Sequence, residues 1–222
     1  MKRPILVALA LAAMLAFVAL GIWQVERRAW KLDLIARVEA RTHAAPVDAF
    51  RARAEAYRRV TLTGAFLCGR ETFVQALTER GAGLWVITPM RTSEGIALVN
   101  RGFVPADKGG KSGPSCGPER AETVTGLLRL SEPGGGFLRS NDPAGDRWYS
   151  RDVAAIAKAR GLGRVAPFFV DADATPHPAG YPIGGLTVVR FNNNHLVYAL
   201  TWFGLAGLSG FAALLLLRRK PA

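Results

Sequence analysis

The chain has 222 residues, of which 50% are hydrophobic and 21% charged, with 29 Lys+Arg against 17 Asp+Glu for a formal net charge of +12. That length holds one ordinary domain plus membrane anchors, and a high apolar fraction beside a normal charged fraction implies apolar runs separated from a polar middle. Lys2, Arg3, Arg218, Arg219 and Lys220 lie in the two tails, so the middle is only modestly basic and has no Lys/Arg run; this argues against nucleic acid and for anionic lipid, an acidic partner or the carboxylates of a ligand.

Residues 5–23 follow Lys2, Arg3 and Pro4, carry no charge and are rich in Leu, Ala and Val. They are long enough to cross a bilayer core of ~30 Å as a helix. A basic start before an apolar core also fits a cleaved signal peptide. The run is long for one, however, lacks a clear small-x-small cleavage site and ends at an interfacial Trp23, as spanning helices do. An uncleaved anchor is therefore the reading, transmembrane helix 1. Ala8, Ala12, Ala16 and Ala19 form a small-residue stripe along it, of the kind that lets helices approach in lipid; a high general frequency of Ala explains the stripe as well.

Residues 24–56 read as a helical juxtamembrane segment, with Trp30, Leu34, Ile35, Val38 and Ala45 spaced for one face and Pro46 ending its first part. The pattern then changes, and residues 57–194 read as a β-rich domain. Runs at 59–64, 71–77, 84–90, 96–105 and 122–130 are short, β-branched or alternating, and divided by Gly, Pro, Ser and Asn, the signature of a sandwich or small barrel. Residues 106–118 form a Gly/Lys/Pro loop. Residues 152–160 read as a short Ala-rich helix with Ser150 as N-cap and Gly161 as its end. Two further strands are expected at 168–171 and 186–190, with a Pro/Gly-rich loop at 174–185 between them. The two cysteines, Cys68 and Cys116, form no CxxC and lie near no histidine. An oxidising compartment would let them pair, but two unpaired structural cysteines is the favoured expectation.

Residues 196–217 are again free of charge and are followed by Arg218-Arg219-Lys220, giving transmembrane helix 2. His195, Ala199, Trp202, Ala206, Ser209 and Ala213 share one of its faces, and His195 stands at the mouth of the span below an Asn-rich loop. Two spans put both termini on one side, and the basic cluster after the second places that side in the cytoplasm. The long central loop translocates largely regardless of its own charge. With no Arg/Ser-rich transit peptide ahead of the first span, the expected location is a bacterial inner membrane with the central domain in the periplasm.

Patterns for enzyme chemistry fail. Gly110-Lys111-Ser112 lacks the first glycine of a phosphate loop, because Pro105 stands there. Gly207-Leu208-Ser209-Gly210 is followed by Phe211 and lies inside a span, which excludes a nucleophile elbow. His43, His177 and His195 have no metal spacing; the first two read as solvated loop residues. Asp171 and Asp173 read as facing solvent or a turn at a strand end. The expectation is a protein that is not an enzyme.

Five stretches in order carry a resemblance: Gly21-Ile22-Trp23-Gln24-Val25-Glu26-Arg27-Arg28-Ala29-Trp30-Lys31, then Tyr57-Arg58-Arg59-Val60 to Gly64, Val86-Ile87-Thr88-Pro89, Leu98-Val99-Asn100-Arg101-Gly102-Phe103-Val104-Pro105, and Asn193-Asn194-His195-Leu196-Val197-Tyr198-Ala199-Leu200-Thr201-Trp202-Phe203. On the two-span layout they resemble the Surf1 family of cytochrome c oxidase assembly factors over nearly the whole chain. Asn192 and Phe103 depart from it, standing where proline and Trp are frequent. The resemblance implies a non-catalytic helper, a chaperone of respiratory-chain biogenesis, that serves the haem-bearing subunit of cytochrome c oxidase. It further implies transient binding of haem a with His195 as ligand to the haem iron, and the machinery that makes haem a as a further partner. A neutral imidazole suits haem iron, and a membrane mouth suits a hydrophobic macrocycle with polar propionates. Arg27, Arg28 and Arg190 flank the spans where propionates would lie, although contact with lipid phosphate explains them as well. Likewise, His195 reads either as the ligand or as an interfacial anchor of its helix, and Trp202 as a wall of the haem site or as ordinary helix packing. A membrane scaffold without cofactor is the alternative function.

Overall fold

The computed structural model describes residues 2–52, 55–107, 120–174, 180–189 and 191–218. It resolves into two compact units, one from residues 1–37 with 189–222 and the other from residues 38–188.

The first unit is an antiparallel helix pair. Helix α1 runs Lys2–His43 and enters the second unit at its end; it stops well before residue 56, where the juxtamembrane helix was expected to end, because the chain turns at Pro46 into a short strand. Helix α3 runs His195–Arg218. Both are long and apolar enough to cross a membrane. Ala199, Ala206 and Ala213 are the buried residues of α3 and recur every seven positions, the period of a left-handed helix pair. The stripe read on α3 is thus its packing face. On α1 the expected stripe is corrected: Ala8, Ala12, Ala16 and Ala19 are exposed, and, with Ala13 and Val18 at its margin, the more buried line runs through Arg3, Val7, Ala10, Met14, Phe17, Gly21 and Gln24. These alternate in steps of four and three, so α1 packs along a heptad seam of mostly larger side chains. The seam closes at one end where Arg3 donates from Nε to the carbonyl of Leu216 at 2.7 Å and from a terminal nitrogen to that of Leu217 at 2.9 Å, satisfying carbonyls that the end of a helix leaves open.

The second unit is a closed β-barrel with additions. Its strands are β1 (Val47–Asp48), β2 (Arg59–Phe66), β3 (Thr72–Thr78), β4 (Gly81–Arg91), β5 (Ile96–Pro105), β6 (Ala121–Leu130), a small hairpin of β7 (Gly135–Gly136) and β8 (Arg139–Ser140), and β9 (Val165–Ala172), with helix α2 (Val153–Ala159) between β8 and β9. The order β1-β2-β6-β9-β5-β4-β3, together with a β2–β4 pairing, closes five strands into a ring of β2, β6, β9, β5 and β4. One pair in the ring, β5 with β9, is parallel and the rest are antiparallel. This is the connectivity of an OB-type Greek-key barrel. Closure requires β2 to leave β6 and join β4 at its end. Gly64 stands at that bend, where a Cβ would lie 2.1 Å from the carbonyl oxygen of Arg91.

Alternation sorts the barrel's side chains into two cores. The interior takes Val60, Leu62, Phe66, Met90, Val99, Leu128, Phe168 and Val170, residues from all five ring strands, with Ala49 and Ala52 packed against them. The outer face takes Ile87, Leu98 and Phe169 from β4, β5 and β9 and covers them with Val74, Trp148, Val153 and Ile156. OB barrels bind nucleic acid on the face of their second and third strands, here β4 and β5. Part of that face is filled by the chain's own Trp148 and α2.

Three expectations are corrected here. The N-cap of α2 is Asp152, whose carboxylate accepts from the Ala155 N–H, and Ser150 instead accepts from Asn141. Residues 186–189 form no strand, and Arg190 lies outside the described residues. The neighbouring segment makes the short pairing instead: Ile183 bridges Phe103 on the part of β5 beyond its pairing with β9, and Gly185 donates to the carbonyl of Ala172 at the end of β9. Cys68 is disulfide-bonded rather than a free thiol; the chain's only other cysteine, Cys116, lies outside the described residues, as does most of the 106–118 loop.

Candidate functional site

The barrel contains a dense polar cluster around Asp171. This residue was expected to face solvent, yet it is 3% exposed. Its carboxylate accepts from Asn100 at 2.8 Å, Arg129 at 2.8 Å, Arg151 at 3.2 Å and Thr187 at 2.9 Å. Arg129 and Arg151 also bind Glu132. Asp173 pairs with Arg59 at 2.6 Å, again a partner in place of open solvent. The physical reason is topological. Asn100 of β5 is in register with Asp171 of the parallel strand β9, and Leu127 of β6 flanks it on the other side. A buried carboxylate persists only when its lone pairs are filled, and here all the cluster's partners come from the domain itself.

The Asn100-Arg101-Gly102 signature belongs to this framework. The Asn100 side-chain oxygen accepts from the Gly102 N–H at 3.2 Å. Gly102 has φ +133, and a Cβ there would lie 2.3 Å from the carbonyl of Ile183, so the position needs glycine twice over. Arg101 lies over the Phe66 ring at 5.1 Å, and burial pushes its guanidinium below the ordinary value, against the raising effect of Glu122 and Glu71.

The helix pair presents a different arrangement. His195 opens α3 and is half-buried. Its Nδ1 lies 2.6 Å from the side-chain oxygen of Gln24 on α1. Gln24 is 9% exposed. Nε2 of His195 has no hydrogen-bond partner among the described residues. Nearby in sequence, the side-chain oxygen of Asn193 is buried with no partner. About two turns inward, Trp202 stacks on Phe17 of α1, with ring centroids 5.6 Å apart and planes at 23°. The Phe203 ring lies over the backbone of Gly21, where a Cβ would meet it at 2.5 Å.

Of the residues read from sequence, the structure therefore sets His195 and Trp202 on the same side of α3 and against α1. Arg27 and Arg28 follow Gln24 by three and four positions, one turn further along α1 on the same side. Arg27 covers the Trp30 ring at 4.3 Å, and both arginines are exposed. Arg190 lies outside the described residues. Sequence reasoning missed Gln24. It continues the spacing of Phe17 and Gly21 as the polar residue closing an apolar seam, a spacing that only the packed helix pair reveals.

The residues present fit a haem. A half-buried imidazole has one nitrogen engaged and the other without a partner, an apolar helix pair stands beneath it, and two arginines stand one turn beyond its bonding partner. Among the described residues, no group of three or more His, Cys, Asp or Glu side chains offers an alternative metal site.

The chain is similar to Surfeit locus protein 1 of Rattus norvegicus, 36% identical over 214 residues that cover 86% of this chain and 69% of the relative. It is similar to Surfeit locus protein 1 of Homo sapiens, 35% identical over 215 residues covering 86% and 71%. With the SURF1-like protein of Monosiga brevicollis it shares 35% identity over 222 residues, 90% of this chain and 83% of that one. The SURF1 family model matches residues 11–207, from the first helix through the barrel and into α3. The chain belongs to the SURF1 family.

Proposed function

We propose that the protein is an assembly factor for cytochrome c oxidase that binds haem a through His195 and assists its insertion into the haem-bearing oxidase subunit. The observation that carries this reading is the His195–Gln24 pair, in which Nδ1 is engaged at 2.6 Å and Nε2 is left without a partner at the end of an apolar helix pair. A bound haem would supply an iron that a neutral imidazole nitrogen can ligate. The chain supplies that nitrogen from His195, an apolar wall from α1 and α3 that includes Trp202, and positive charge for the propionates from Arg27, Arg28 and Arg190. The role is one of holding and delivery, and the protein is not an enzyme. Its partners are the haem-bearing subunit, the source of haem a and membrane lipid.

In this reading α1 and α3 span a bacterial inner membrane, both termini are cytoplasmic and the barrel is periplasmic. Arg218, Arg219 and Lys220 support that orientation. A reporter active only in the periplasm, inserted near Gly113, is expected to be active, and the same reporter after Ala222 to be silent. The reverse pattern would overturn the orientation.

The functional test is purification of the full chain from cells that make haem a. A reproducible haem spectrum is expected. Folded protein that never carries haem would leave the cofactor-free scaffold in its place.

A further inference from the structure

We infer that Gln24 is a positioning residue that holds His195 in the tautomer carrying its proton on Nδ1, so that Nε2 is the nitrogen presented for metal ligation. The inference rests on reading His195 as the ligand and adds the group that prepares it. Nothing in the residue spacing of α3 distinguishes the two ring nitrogens; only the contact from α1 does.

An amide oxygen accepts hydrogen bonds and cannot donate them. With Nδ1 lying 2.6 Å from the Gln24 oxygen, Nδ1 carries the proton and donates it. The neutral ring then keeps its lone pair on Nε2. A histidine free in water favours the opposite tautomer, so the bond to Gln24 selects the rarer form. Metal-bound histidines are commonly held in this way, with the second nitrogen donating to a carbonyl or carboxylate that fixes tautomer and ring plane and raises ligand basicity.

The placement of Gln24 supports a dedicated role. It is 9% exposed in a seam that is otherwise apolar between Val7 and Gly21. A buried amide there is unfavourable unless it is paired. Helix packing alone is served by the Phe17–Trp202 stack and the close contact of Phe203 on Gly21. An apolar side chain at position 24 would pack as well and would leave His195 free to take either tautomer.

The test uses the full chain in detergent with histidine labelled in both ring nitrogens. The ligand-free protein is measured by nitrogen NMR, and the haem-loaded protein by resonance Raman of the iron–histidine stretch. The variants are Gln24→Leu, which removes the acceptor, and Gln24→Glu, which keeps an acceptor of the same reach. In the ligand-free wild type, the His195 signal is expected to show a protonated Nδ1 and a bare Nε2. Gln24→Leu is expected to shift the population toward protonated Nε2 and to weaken haem binding about 10–100-fold, the usual loss when such a partner is removed. Gln24→Glu is expected to retain the tautomer and the haem, with a raised iron–histidine frequency.

A bare Nδ1 in the ligand-free wild type would overturn the inference. So would a Gln24→Leu protein that loses stability and haem together with no change in tautomer, since that is the result of a purely structural contact. Normal haem content in His195→Gln would instead remove the ligand assignment itself and leave the tautomer measurement untouched, so the two failures are told apart.

Discussion

Asp171 in the barrel and His195 in the helix pair are both polar residues withdrawn from solvent, and they differ in how completely their hydrogen-bonding capacity is used. Four side chains of the domain converge on the Asp171 carboxylate, two of them arginines that also hold Glu132. His195 has one ring nitrogen bound to Gln24 and the other without a partner among the described residues. A saturated cluster ties strands together and has nothing left for a ligand. A half-satisfied imidazole has a lone pair to offer. The polar cluster of the barrel is thus a framework, and the open ring nitrogen in the helix pair is what the proposed function rests on.

The largest effect expected from breaking this contrast is at the barrel. Asp171→Ala leaves Arg129 and Arg151 without their central carboxylate, and removal of one partner from such a buried network costs about 3–5 kcal/mol. Chemical unfolding of the full-length protein in detergent is the measurement. A loss below about 1 kcal/mol, the value of an exposed ion pair, would mean that the cluster is not a framework. Gly102→Ala is expected to cost at least about 1–3 kcal/mol through backbone conformation alone, with more from the contact on Ile183. An unchanged unfolding midpoint would show that the crossing at Ile183 is not tight.

Trp202→Ala is smaller still in its effect on stability and is expected to lower haem retention less than His195→Ala does, because its ring stacks on Phe17 rather than offering a ligand atom. A Trp202→Ala loss equal to that of His195→Ala would move the centre of the site inward along α3.

The smallest expected effect is at the turn around Asp142. Its carboxylate is held below the ordinary value by the Gly145 N–H first and by Arg147 second. A depressed folded-state value means that this contribution is fully present above the unfolded carboxylate value, near pH ~4, and is lost as pH falls through the lower folded value. Asp142→Asn is expected to remove that slight acid dependence, read from the Gly145 amide signal during an acid titration. An Asp142 titration at the ordinary carboxylate position would contradict the assignment.

Much of this architecture was legible in the sequence. The alternating runs gave the principal strands because a half-buried strand must alternate, and the charge-free runs gave both long helices. Closure of the ring was not legible, since it depends on Gly64 letting β2 cross to β4, and the run 59–64 reads like any other strand. Burial of Asp171 was hidden for a similar reason: its partners come from β5, β6, the segment before α2 and Thr187, far apart in the chain. The 186–190 run looked like a strand because Thr187, Val188 and Val189 are β-branched, but the short pairing on β5 is made by Ile183 just before it. In the site, His195 stood out through its position at the start of an apolar run. Gln24 did not, because a single glutamine near the end of an apolar helix is ordinary until the spacing of its seam is known.

The most direct measurement is the haem-to-protein ratio of purified His195→Gln beside His195→Ala and the wild type, with membrane levels of each as control. Glutamine keeps polarity and approximate size and can satisfy an interfacial hydrogen bond, yet it offers no nitrogen that ligates iron. Both variants are expected to insert normally, since neither adds a charge to the span, and both are expected to lose haem. Normal haem content in His195→Gln would contradict the account and make His195 an anchor of its helix.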